Sequence, residues 1–129
     1  MSPTLRRILL VEDDADIRAI VTLALTAFGS FAVEAVEDGY AALAVIDEVA
    51  PDLVILDYMM PGMNGLDVLA ALRSSDSSRR SLPAIFLTAA LAAHAQQSLV
   101  SAGALGVIPK PFDAVGLAAE VQRLWDARP

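Results

Sequence analysis

Acidic side chains stand at the ends of two apolar runs in this chain. Ile8-Leu9-Leu10-Val11 is followed directly by Glu12, Asp13 and Asp14, and Leu53-Val54-Ile55-Leu56 runs into Asp57. A lone carboxylate beside a hydrophobic core is costly to bury, so Asp57 must open to solvent, meet a cation or be a reaction site. Two further apolar runs end in other polar groups. Ala84-Ile85-Phe86-Leu87 leads into Thr88, and the segment ending at Ile108 leads into Pro109-Lys110-Pro111. Lys110 is the only lysine among nine basic residues.

If the chain brings these groups together, their chemistry is constrained. Two like charges ~5 Å apart repel by about 3 kcal/mol at an effective dielectric of ~20, so the acids need a counter-ion. Ligands that are all oxygen favour Mg2+, Mn2+ or Ca2+ over zinc or copper, and few protein ligands completed by water favour Mg2+. Such a cluster with an open face suits phosphoryl transfer. Asp57 is the best nucleophile, since a carboxylate can form an acyl phosphate. Lys110 would balance charge, and Thr88 could hydrogen-bond the phosphoryl oxygens.

The surrounding pattern supplies the elements to position them. Short apolar runs closed by turn residues predict strands over 6–11, 52–57, 84–88 and 104–108, with a half-exposed strand over 31–36. Between them lie helical patterns. The first presents Ile17, Ile20, Val21, Ala24 and Phe28 on one face, with Asp14 as its cap and Gly29 as its end. A second spans 40–49 after Asp38-Gly39 and presents Ala42, Val45, Ile46 and Val49. A third follows Asn64 and presents Leu66, Leu69 and Ala70. Residues 74–81 are Ser-rich and read as a solvated loop. A weakly amphipathic helix is expected over 91–102, with His94 exposed on it. A last helix over about 113–126 presents Leu117, Val121 and Leu124. Five strands alternating with five helices predict a doubly wound α/β fold with a parallel sheet. Ligands of such sheets bind outside the carboxyl ends of the strands, where Glu12, Asp13, Asp57, Thr88 and Lys110 all fall.

Composition narrows the class. A chain of 129 residues with 56% hydrophobic residues suits one domain, 1–129, with a sizeable core. No apolar stretch reaches the ~18 residues needed to cross a bilayer, and no secretory signal pattern is present. The absence of cysteine removes disulfides, thiol catalysis and thiolate metal sites. A net charge of 9 − 16 = −7 without a basic patch argues against direct nucleic-acid binding.

The motifs Val11-Glu12-Asp13-Asp14, Leu56-Asp57-Tyr58-Met59-Met60-Pro61-Gly62-Met63-Asn64-Gly65, Leu87-Thr88-Ala89 and Pro109-Lys110-Pro111-Phe112 resemble the receiver domain of two-component response regulators. The likeness spans essentially the whole chain. It implies a CheY-like, flavodoxin-like (βα)5 fold with strand order 2-1-3-4-5, acting in the cytoplasm. It also implies phosphoryl transfer from a histidine kinase or histidine phosphotransfer protein to Asp57. Mg2+ would sit on Glu12, Asp13, Asp57 and the backbone carbonyl of Met59, with Thr88 and Lys110 on the phosphoryl group and a cis bond at Lys110-Pro111. The chemistry would be limited to the chain's own phosphorylation and dephosphorylation. The output would pass to an effector protein, with room for a phosphorylation-dependent dimer.

Two positions depart from the family pattern. Val107 stands three residues before the lysine, where the family usually has an aromatic whose rotamer change carries the signal. Valine is too small for that role, so the signal is expected to leave through the Thr88 loop and the helix over 91–102. Met59 and Ala90, two positions after Asp57 and Thr88, cannot orient an attacking water, which predicts slow dephosphorylation.

Taken singly, each feature has a plainer reading: Asp57 a cap, Glu12 to Asp14 helix-start acids, Lys110 a surface lysine. Met59, Met60 and Met63 are expected to pack over their loop, and Trp125 and Tyr40 to lie at core edges or on a partner surface. Three rival functions also remain. A degenerate receiver that only binds partners is opposed by the full set of chemical residues. An aspartyl phosphohydrolase would want an acid where Met59 stands. A flavin or nucleotide module would want a phosphate cradle where three acids follow the first strand.

Overall fold

The computed structural model describes residues 4–75, 78–89 and 93–129, except for the side chains of 78, 93 and 94. The apolar runs form the strands β1 (Arg7–Val11), β2 (Ala32–Val36), β3 (Leu53–Asp57), β4 (Ala84–Ala89) and β5 (Gly106–Lys110). Alternating with them are helices α1 (Ala15–Gly29), α2 (Gly39–Val49), α3 (Gly65–Arg73), α4 (Ala93–Ser101) and α5 (Leu117–Asp126), plus a 3-10 turn at Ser78–Ser81. All strand pairs are parallel, and the sheet runs β2-β1-β3-β4-β5. The predicted strand order is therefore observed.

Near-continuous apolar strands follow from a sheet covered on both faces. Ile8, Leu10, Leu53, Ile55, Ile85 and Leu87 point to one side, where Val21, Ala24 and Leu25 of α1 and Leu117, Val121 and Trp125 of α5 cover them. The intervening Leu9, Val11, Val54, Leu56 and Phe86 point to the other, against Ile46 of α2, Val68 and Leu69 of α3 and Leu99 of α4. Every residue of β3 is buried, Asp57 included.

Helix ends follow their local chemistry. The Asp14 carboxylate accepts from the Asp16 and Ile17 amides at 2.9 and 3.0 Å, so it caps α1. Asp38 caps α2, and Asn64 with Asp67 forms a reciprocal capping box at α3. The end of α1 differs from expectation: Gly29 stays helical and Ser30 takes the left-handed position, at φ 58°. Glycine at 29 serves packing instead, because a Cβ there would lie 2.5 Å from the Phe31 ring.

Several expected faces are turned. Ile20 and Phe28 are 49% and 59% exposed, and the buried stripe of α1 is Val21, Ala24 and Leu25. On α3 the buried residues are Val68, Leu69 and Leu72, while Ala70 is exposed. The strand predicted over 104–108 is shifted and includes Pro109 and Lys110, since β5 is an edge strand where a proline interrupts no inner ladder. Residues 114–116 form a turn, so α5 starts later than expected. Trp125 is core, with the Arg128 guanidinium 3.7 Å from its ring centre, whereas Tyr40 is 63% exposed. Expectations for Ala90, for the start of the helix at 91 and for the His94 side chain lie outside the described residues.

One close approach fixes the turn that carries the Asp57 loop back into α3. The Gly65 amide donates to the Tyr58 carbonyl at 2.9 Å, and a Cβ on Gly65 would lie 2.7 Å from the Asp57 carbonyl oxygen. Backbone cannot yield there as a flexible side chain can. Gly65→Ala is expected to cost about 2 kcal/mol or more in denaturant unfolding. An unchanged midpoint would show that the loop relaxes freely.

Candidate functional site

The parallel sheet delivers every candidate side chain to one edge. Val11 pairs with Leu56 and Asp57 with Leu87, which sets Glu12 and Thr88 beside the end of β3. Thr88 pairs with Pro109 and Ala89 with Lys110, which brings the lysine to the same edge. Oxygens of Glu12, Asp13 and Asp57 lie within 4.8 Å of one another. Glu12 is fully buried, Asp57 is 5% exposed and Asp13 is open to solvent.

The Lys110 ammonium enters this cluster, 2.6 Å from Glu12 Oε1 and 3.5 Å from Asp57 Oδ1. Glu12 Oε2 accepts from the Asp14 amide at 3.2 Å, and Asp57 Oδ1 from the Met59 amide at 3.3 Å. Lysine is thus shared between two acids and held more closely by Glu12. That sharing is not legible in the sequence, where Lys110 stands 98 residues from Glu12.

One ammonium among three carboxylates leaves a formal charge of 1 − 3 = −2. The titration behaviour reflects the crowding. Burial pushes the Asp57 carboxyl up to about 8, reinforced by hydrogen bonding with Asp13 and Glu12 and by the Glu12 charge, with Lys110 opposing. Asp13 moves the other way. Burial resists its ionisation, but side-chain hydrogen bonding with Asp57 and Glu12 outweighs that and holds it below its usual value. Burial and its acidic neighbours thus disfavour an ionised Asp57.

Thr88 is 1% exposed, and its Oγ1 has no hydrogen-bond partner among the described residues. Buried hydroxyls are ordinarily paired, so this one stands out among the described residues. Beyond the site, Lys110-Pro111 is a cis bond, as the likeness implied. No described helix is long and apolar enough to cross a membrane.

The sequence model of the response regulator receiver domain matches residues 8–122. The chain belongs to this family. Among its relatives is the DNA-binding response regulator MtrA of Mycobacterium tuberculosis, 38% identical over 117 residues, covering 91% of this chain and 49% of that protein. Response regulator MprA of a Mycobacterium species is likewise 38% identical over 118 residues, covering 92% and 50%. The chain thus spans about half the length of the curated relatives it matches. In structure it is similar to the chemotaxis response regulator CheY4 of Vibrio cholerae, with a TM-score of 0.84 and 31% identity, covering 94% and 99% of the two chains. The HemR receiver domain of Leptospira biflexa gives 0.82 and 31%, with 96% and 98% covered.

Within this receiver domain the departures take physical form. Val107 is half-buried against the α2–α3–α4 side of the core, so no aromatic arm stands there. Met60 is covered and Met63 packs partly, but Met59 is 65% exposed and does not pack over the loop as expected. The sequence reading also passed over Arg18, whose guanidinium Nη1 donates to the Glu12 carbonyl at 2.9 Å.

The raised Asp57 value fixes a pH dependence. A folded pKa of about 8 against an unfolded ~3.9 means that the folded state binds more protons throughout that window. The resulting stability is complete below the unfolded value and is lost as pH rises toward 8. Asp57→Asn should therefore raise the metal-free unfolding free energy, read by denaturant titration, more at pH 8 than at pH 5. The difference is expected to be on the order of 2 kcal/mol after allowing for solvent screening at the open face. Equal gains at both pH values would mean that Asp57 ionises without hindrance.

Proposed function

We propose that this receiver domain is a phosphorylation-controlled switch whose acceptor is Asp57. The observation that carries the reading is the undercompensated cluster at the end of β3, where a buried carboxylate faces two acids and shares one ammonium. In the step we assign, an Asp57 oxygen forms a bond to phosphorus as the P–N bond of a phosphohistidine donor breaks. The leaving imidazole keeps the electron pair and takes a proton from solvent. Lys110 neutralises charge gathering on the transferred oxygens, and the Thr88 hydroxyl donates to one of them. The donor is a cytoplasmic histidine kinase or phosphotransfer protein, and the recipient of the signal is a downstream effector or a second phosphorylated copy.

The donor set fits Mg2+: three carboxylates converge with oxygen atoms only, and their excess charge of −2 matches a divalent cation. Glu12, Asp13, Asp57 and the Met59 carbonyl would hold it, and it would screen Asp57 from the incoming phosphoryl group.

Dephosphorylation should be slow. The exposed Met59 thioether is a weak acceptor with no proton to give, so it neither activates nor orients water. The same feature counts against a hydrolase. Incubation with acetyl phosphate and Mg2+ should add one phosphoryl group by mass spectrometry, absent in Asp57→Asn. It should persist in the purified domain for minutes or longer. No addition would favour a receiver that only binds partners, and loss within seconds would refute the slow turnover.

Thr88 separates function from stability. Removing a buried hydroxyl with no partner among the described residues should not weaken the fold, so Thr88→Val is expected to match or exceed wild-type stability by up to about 1 kcal/mol. Phosphorylation by acetyl phosphate should nevertheless slow by roughly tenfold or more. A destabilised variant with normal phosphorylation would assign Thr88 to packing alone.

A further inference from the structure

Arg18 lies in the second turn of α1, with Asp13, Asp14 and Asp16 just before it in sequence and Glu37 lining the same hollow. An arginine so surrounded would be expected to pair with a carboxylate. Among the described residues it makes no ion pair. Its Nη1 instead donates to the Glu12 carbonyl at 2.9 Å and lies 3.5 Å from the Asp13 carbonyl.

These are the carbonyls of the two acids that follow β1. The Glu12 carbonyl belongs to the peptide joining Glu12 to Asp13, so rotating that plane changes ψ of one residue and φ of the next. Glu12 is held independently through both its carboxylate oxygens, by Lys110 and by the Asp14 amide. Asp13 is exposed and has no cation within ion-pair distance among the described residues, and its side-chain neighbours in the cluster are themselves acids, so its direction leans on the backbone. We propose that Arg18 is a positioning residue for cation binding, which locks the Glu12–Asp13 peptide and so aims Asp13 at Asp57. This rests on the metal-assisted reading of the site given above.

The sign of the effect separates positioning from electrostatics. A guanidinium near the cluster repels an incoming cation, so a purely electrostatic role predicts tighter binding once it is removed. Positioning predicts weaker binding. Isothermal titration of Mg2+ into the full chain at neutral pH reads the difference without any phosphorylation. Arg18→Met should weaken affinity by about tenfold, in the range found when groups that orient metal ligands are removed. Arg18→Lys keeps the charge but not the fork, and should also bind more weakly than wild type.

Arg7→Met is the matched control. Its guanidinium makes the same kind of bond, to the Val49 carbonyl at 3.2 Å, from the opposite end of β1. It should leave Mg2+ affinity unchanged. Wild-type affinity in Arg18→Met, or tighter binding, would overturn the proposal while leaving the phosphoacceptor reading intact. Should Arg18→Met not fold, unchanged affinity in Arg18→Lys would overturn it equally. A wild-type chain that binds no Mg2+ would remove both readings.

Discussion

Too much negative charge in too little space is the constraint from which the rest of this molecule follows. Asp57 closes a strand that is buried along its whole length, and two more carboxylates reach it from the neighbouring strand end. The opposite end of β3 offers a comparison. Asp52 there is satisfied, accepting from the Arg6 and Arg7 amides at 3.0 and 2.9 Å, and acts as a structural acid. Asp57 has one amide at 3.3 Å and a shared lysine at 3.5 Å. The two ends of one strand thus hold the same side chain in opposite conditions. Such a deficit is unusual, because buried charges are ordinarily paired or fully hydrogen-bonded.

The sheet makes that deficit possible. Side chains on alternating faces of β1, β3 and β4 fill two separate cores, so the strands cannot slide without turning both faces over. The register is therefore fixed, and with it the meeting of groups at positions 12, 57, 88 and 110. A loop-borne cluster of acids would simply splay apart. Here the cost of crowding is carried by burial of the strands behind it.

Much of this was legible because it depends on local pattern. The parallel sheet, the caps and the convergence of Glu12, Asp57, Thr88 and Lys110 follow from apolar runs, turn residues and the rule that sites form at strand ends. The strand order, by contrast, came from the family likeness. What was not legible depends on tertiary context. Ile20 and Phe28 fit an apolar stripe by spacing, but the sheet meets α1 at Val21, Ala24 and Leu25 instead. Ser30 in a left-handed conformation could not be foreseen while Gly29 offered itself, because glycine is required there by the Phe31 ring. The exposure of Met59 and the Glu12–Lys110 pair arise from contacts remote in sequence.

That pair bears on how a change at Asp57 could be felt elsewhere in a receiver with Val107 in place of an aromatic arm. Lys110 ends the edge strand β5, and Glu12 follows β1 on the far side of β3 and β4. One ammonium serves both Glu12 and Asp57, so the two acids compete for it. A dianionic phosphoryl group on Asp57 would attract that ammonium more strongly than a carboxylate does, drawing it from Glu12. The redistribution needs no large rotamer. It would couple the first strand to the last through a single charge, and Thr88 lies on the strand between Asp57 and Lys110, its hydroxyl without a partner among the described residues. Coupling of this kind depends on the distance between charges and not on the volume of a swinging side chain, which is why a small residue at 107 is compatible with a working switch.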